Sequence, residues 1–146
     1  MIDALAEWGG NWYVWAPKSA PSHRDEWRKP FDEDEIRGFE SLTGRGVGIS
    51  VAITPGAGAT VTEVVDKLSP LAHVADGFTI CFDDLDDLAS AARHAEIANA
   101  VWRQLGRTVW LVPTHYTGTT RSPYHDTLVP ILDSSIELMW TGATVV

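Results

Sequence analysis

The chain has one cysteine, few basic residues and no long apolar run, and each scarcity removes a class of protein. Cys81 has no second cysteine to pair with, so no intrachain disulfide framework is available. Inside the apolar run 77–82 it reads as a buried core thiol. Eleven Lys and Arg stand against 20 Asp and Glu, a formal charge of −9, which argues against a nucleic-acid backbone or an anionic membrane as partner. No segment approaches the ~20 apolar residues of a membrane-spanning helix. Residues 1–10 carry Asp3 and Glu7 and lack the basic start and apolar stretch of a secretory leader, so a cytoplasmic location is expected.

Cofactor motifs are also missing. Gly44, Gly46 and Gly48 precede an apolar run, whereas a phosphate-cradling loop must follow a strand and open a helix. Residues 55–58 do follow a strand-like run but lack the Lys-Ser/Thr of a P-loop. The five histidines, His23, His73, His94, His115 and His125, show no paired metal-ligand spacing. Neither a metal nor an organic cofactor is expected, and His73 and His94 read as ordinary helix residues.

What is present is an alternation of apolar runs and amphipathic segments. With 146 residues, 45% hydrophobic and 21% charged, the chain reads as a single domain over 1–146. Strands are expected at 11–16, 47–53, 78–82, 108–112 and 136–140, and helices at 33–42, 61–74, 85–105 and 124–132. Helices between strands imply parallel crossovers, and the nearly continuous apolar strands fit a sheet covered on both faces. The class is α/β. Periodicity leaves a doubly wound sheet and a (β/α)8 barrel open, yet in both the residues beyond the C-terminal strand ends do the work. That rule selects Pro17 and Lys18, then 54–56, Asp83 and Asp84, 113–116, and Thr141 with Gly142.

Asp83 and Asp84 stand side by side at the end of the third run. Adjacent carboxylates repel, and partial burial drives one toward its protonated form, so one can donate a proton while the other stays anionic. Both can reach one ligand only if the strand ends or bulges there, because successive residues on a regular strand face opposite ways. Asp86 and Asp87 also allow a structural reading, as a helix N-cap region.

Taken in order, the rim residues resemble the catalytic domain of glycoside hydrolase family 84, the β-N-acetylglucosaminidases. Trp15-Ala16-Pro17-Lys18 is similar to the family's Tyr-Ala-Pro-Lys, and His23-Arg24 with Trp27-Arg28 to its His-Arg and Trp-Arg. Thr54-Pro55-Gly56 stands for Ser-Pro-Gly, Phe82-Asp83-Asp84 for Phe-Asp-Asp, Pro113-Thr114-His115-Tyr116 for Pro-Thr-Glu-Tyr, and Trp140-Thr141-Gly142 for Trp-Thr-Gly. Asn99 fits an Asn of the helix after the acidic pair.

The resemblance implies a partial (β/α)8 barrel of about five parallel strands, corresponding to strands two to six. It also implies hydrolysis assisted by the substrate's own 2-acetamido group. On that analogy Asp83 stabilises the acetamido N–H and Asp84 is the acid and then the base. Lys18 binds a ring hydroxyl, Tyr116 hydrogen-bonds near the reacting centre, and Trp140 walls the pocket. Of the seven tryptophans, Trp12, Trp102 and Trp110 read instead as core. The chain departs from the pattern at Ser19-Ala20, where the family commonly has an acidic pair, and at His115, where it has Glu. Strands one, seven and eight of the family barrel have no counterpart, which leaves two sheet edges to be covered by a homo-oligomer, a partner or a longer native chain. The expected partner is an N-acetylglucosaminyl substrate. A non-catalytic module that binds N-acetylglucosamine is the alternative.

Overall fold

The computed structural model describes residues 1–83, 85 and 90–143. Five strands, β1 (Trp12–Trp15), β2 (Gly48–Ile53), β3 (Gly77–Cys81), β4 (Thr108–Val112) and β5 (Glu137–Leu138), form one sheet in the order β1-β2-β3-β4-β5. Every neighbouring pair is parallel. A doubly wound sheet reverses its strand order at a switch point, and no reversal occurs among these strands. The arrangement is the arc of a barrel.

The helices are α1 (Ile2–Glu7), α2 (Glu33–Glu40), α3 (Val61–Leu68), α4 (Ala91–Leu105) and α5 (Pro123–Ile131). Capping boxes start α2 and α3, where Asp32 pairs reciprocally with Glu35 and Thr60 with Glu63, each satisfying otherwise orphaned N–H groups. Gly106 stops α4 in the left-handed region, φ 62°. The apolar pattern over 61–74 promised one helix. The structure ends it at Leu68 and continues as a 3₁₀ turn, Ser69–Leu71, since Pro70 has no N–H to carry the α-helical ladder onward. His73 therefore lies in the following turn and not in a helix, exposed and 3.6 Å from Glu40.

Strand alternation sorts the side chains. Val51, Ile53, Phe78, Ile80, Val109 and Leu111 point to the helical layer, where they form one core with Val64 and Leu68 of α3, Ile97 and Val101 of α4 and Leu128 of α5. Each such fully buried side chain contributes about 1.5–3 kcal/mol. A smaller cluster of Ile2, Val47 and Ile49 seats α1. On the opposite, barrel-facing side, Ser50 and Thr79 share a buried hydrogen bond of 2.8 Å. Trp12 and Trp110 meet there edge to face at 4.8 Å. A Cβ at Gly48 would sit 2.7 Å from the Trp12 ring, so glycine is required at that contact.

The three tryptophans expected in the core are half-buried, Trp102 against the main cluster and the other two on the barrel face. β5 is shorter than the 136–140 run suggests, with only Glu137 and Leu138 in register with Trp110 and Leu111. The helix expected over 85–105 is described from Ala91 onward; 86–89 lie outside the described residues. Among the described residues, no helix is long and apolar enough to cross a membrane.

Candidate active site

β3 ends at Cys81. Phe82 still donates its N–H to the Val112 carbonyl at 2.8 Å, and Asp83 then stands in a turn, half-buried, free of strand alternation. The strand end expected at the acidic pair is thus present at Asp83. Asp84 lies outside the described residues. Asp83 lines a cleft of about 520 Å³ together with Arg24, Trp27, Arg28, Thr54, Gly56 and Leu85.

The cleft wall formed by residues 24–29 is irregular chain, so side chains have to hold it. His23 is buried, its Nδ1 donating to the Ala52 carbonyl at 2.9 Å, while the His23 carbonyl accepts the Thr54 N–H at 2.7 Å. This ties the segment to the end of β2. Trp27 enters the main core with its neighbour's guanidinium, that of Arg28, 4.5 Å from its ring. Arg28 reaches Glu63 of α3 at 2.8 Å, and Lys67 of α3 donates to the Lys29 carbonyl.

Cys81 is buried and interacts with Thr54, Arg24 and Asp83, which line the cleft. Burial, reinforced by the charge of Asp83 and only partly opposed by a hydrogen bond to Thr54 and by Arg24, pushes its thiol up to about 12. It is protonated at neutral pH and no nucleophile.

The parallel strands bring Lys18, Asp83, Tyr116 and Trp140 to the same end of the sheet. Lys18 is exposed in the turn after β1. Tyr116 is half-buried, and its carbonyl accepts from the Thr141 N–H at 2.9 Å. Trp140 is 43% exposed, with His125 5.2 Å from its ring, and lines a separate hollow of about 300 Å³ with Gly118, Thr119 and Arg121. None of these three borders the Asp83 cleft. Among the described residues no three His, Cys, Asp or Glu side chains are grouped to hold a metal.

Several supporting residues were named from the sequence without the contacts that give them their roles. Thr114 and His94 are buried polar groups whose partners come from other elements. Asn99 bridges α4 to the end of α5, donating to the Ile131 carbonyl and accepting the Asp133 N–H, both at 2.8 Å. His115, in place of the family's Glu, shares a 2.7 Å hydrogen bond with Ser122.

Comparison with known proteins agrees with this geometry. The family described as NAGidase, beta-N-acetylglucosaminidase, matches residues 1–146. Protein O-GlcNAcase of Rattus norvegicus and that of Mus musculus are each 29% identical over 175 aligned residues, covering 100% of this chain and 19% of theirs. The chain thus spans about a fifth of the length of these relatives. The structure of CpGH84B superposes with a TM-score of 0.87 at 26% identity, over 99% of this chain and 30% of that one. An O-GlcNAc hydrolase of Thermobaculum terrenum gives the same TM-score at 24% identity, over 99% of this chain and 37% of its own, and supports the fold alone. The five-stranded sheet corresponds to part of a (β/α)8 barrel, and the chain belongs to the beta-N-acetylglucosaminidase family, glycoside hydrolase family 84.

Proposed function

We propose that the chain supplies the central catalytic face of a retaining glycoside hydrolase that removes terminal β-linked N-acetylglucosamine. The observation that carries this reading is Asp83, half-buried just past the end of a central parallel strand and opening onto a cleft at the functional rim. Family membership and the order of the rim motifs support it.

In the proposed reaction the 2-acetamido oxygen attacks the anomeric carbon as the bond to the leaving oxygen breaks. Asp84 gives that oxygen its proton. Asp83 accepts a hydrogen bond from the acetamido N–H, where positive charge develops. The ionised Asp84 then takes a proton from water, whose oxygen attacks the anomeric carbon and releases the acetamido group, with net retention. By the family resemblance Lys18 would hold a ring hydroxyl, Tyr116 the reacting centre and Trp140 the acetyl face of a sugar extending along the rim beyond the Asp83 cleft, whose lining includes none of the three. No cofactor takes part in this chemistry.

A second reading is a non-catalytic module that binds N-acetylglucosamine; among the described residues β1 and β5 are the outer strands of the arc. In either reading a second copy of the chain or further polypeptide would cover those edges. Hydrolysis of 4-nitrophenyl N-acetyl-β-glucosaminide separates the two, with Asp83→Asn and Asp84→Asn beside wild type and the oligomeric mass measured in the same buffer. Turnover lost in both variants supports the hydrolase. Saturable N-acetylglucosamine binding without turnover by the wild-type protein supports the binding module.

A further inference from the structure

Four buried side chains close a ring on the residue that immediately precedes Asp83. The Thr114 hydroxyl donates to the Phe82 carbonyl at 2.9 Å. The Thr114 backbone N–H donates to the Tyr124 hydroxyl at 3.3 Å, and that hydroxyl shares a 2.8 Å hydrogen bond with His94 Nδ1. The His94 imidazole lies flat on the Phe82 ring, centroids 3.7 Å apart and planes 4° from parallel. Three elements contribute: the chain leaving β4, helix α4 and helix α5. All four residues are at most 9% exposed.

The ring answers a local deficit. β3 stops at Cys81, so the Phe82 carbonyl lies beyond the strand ladder, and a buried carbonyl without a donor costs about 1–3 kcal/mol. Thr114 supplies the donor. Through that carbonyl it holds the peptide plane joining Phe82 to Asp83, while the Phe82 N–H bond to Val112 holds the plane before it. The orientation of that plane sets the direction in which the Asp83 side chain leaves the backbone. Functional groups need placement to within about 0.5 Å, which comes from residues whose own partners lock them.

We propose that Thr114 is the positioning residue of Asp83: its hydroxyl fixes the Phe82–Asp83 peptide, and Tyr124 and His94 hold Thr114 and Phe82 in place, so that the carboxylate is aimed into the cleft. The inference rests on the proposed role of Asp83. It adds residues that touch no substrate and act through the backbone of one that does.

The test compares Thr114→Val, Thr114→Ser and Tyr124→Phe with wild type in two readouts. In hydrolysis, Thr114→Val lowers kcat at least about 10-fold on activated aryl and poor leaving groups alike, because small misplacements at a reacting centre cost up to about 100-fold. KM stays within about 2-fold and Thr114→Ser restores kcat, a pattern that general loss of stability does not produce. In hydrogen exchange, which needs no turnover, the Phe82 amide exchanges at least about 10-fold faster in Thr114→Val and in Tyr124→Phe, and returns to wild-type protection in Thr114→Ser. An unchanged Phe82 amide with unchanged kcat in Thr114→Val overturns the inference, even if its melting temperature falls. Should the wild-type protein hydrolyse nothing, the proposed function fails, and the exchange readout alone decides this inference: unchanged protection overturns it, faster exchange with serine rescue sustains it.

Discussion

The ammonium of Lys67 lies 3.5 Å from the centre of the Phe31 ring. Its donation to the Lys29 carbonyl makes α3 a brace for the chain that forms the wall of the Asp83 cleft. Burial is the main cause that pushes the Lys67 amine down to about 8, with Glu35 partly opposing.

Between pH 8 and about 10.5 the unfolded chain holds the Lys67 proton and the folded chain has released it, so stability on this account rises with pH across that window. Cys81 and Tyr124 act the other way, since burial raises both and the unfolded chain loses their protons first. The Lys67 contribution is therefore read as a difference. The stability of wild type relative to Lys67→Met should increase from pH 7.5 to 10 by about 1–2 kcal/mol, the ~3 kcal/mol of the full shift being reduced by solvent screening through the open hollow that Lys67 lines. Urea unfolding of both proteins along the pH series checks this, and a constant difference refutes it.

Glu63 faces the same brace from its other end. The hydrogen bond from Arg28, followed by those from Thr60, holds its carboxylate down at about 2. Its contribution to stability is complete above pH 4.5 and is lost as pH falls from there through 2. Arg28→Gln should move the Glu63 titration back toward 4.5, followed through its side-chain carboxyl resonance in NMR. A midpoint that stays near 2 would mean that the Thr60 capping box alone sets it.

Asn99 ties α4 to the chain at and after the end of α5 through two hydrogen bonds. Asn99→Ala leaves the Ile131 carbonyl and the Asp133 N–H without their partner, at a cost of about 2–4 kcal/mol. For a chain of this size that lowers Tm by about 4–15 °C. Calorimetry showing a loss under about 1 kcal/mol would show that solvent replaces both bonds.

Two glycines make a paired test of packing. Gly48→Ala presses a methyl to within 2.7 Å of the Trp12 ring, and should destabilise by about 1–3 kcal/mol with a shift in tryptophan emission. Gly38→Ala, in the middle of α2 with nothing within 4 Å of the added carbon, should stabilise by about 0.5–1 kcal/mol. Equal effects would contradict the fit of Trp12 over β2.

Much of this was legible in the residues because local pattern and tertiary role coincide. The run 108–112 is bounded by Gly106 and Pro113, and β4 occupies it residue for residue. The parallel-strand rule put Asp83 beyond the C-terminal end of the third strand, and it stands in the turn after β3. Legibility failed where distant segments decide. Pro70 shortened α3, and the brief pairing with β4 limited β5 to two residues. The stitching of the loops after β4 and β5, through Tyr116 with Thr141 and Gly118 with Gly142, is likewise set by distant segments. Thr114 and His94 lie about 10–32 residues from their partners, and no spacing in the sequence records such pairings.

The most direct measurement is the hydrolysis rate of 4-nitrophenyl N-acetyl-β-glucosaminide by Asp83→Asn beside wild type, with both shown to be folded. If Asp83 stabilises the developing charge, kcat falls by at least about 100-fold with KM changed much less. Wild-type turnover in Asp83→Asn, or no turnover by the folded wild-type protein, would contradict the proposed chemistry.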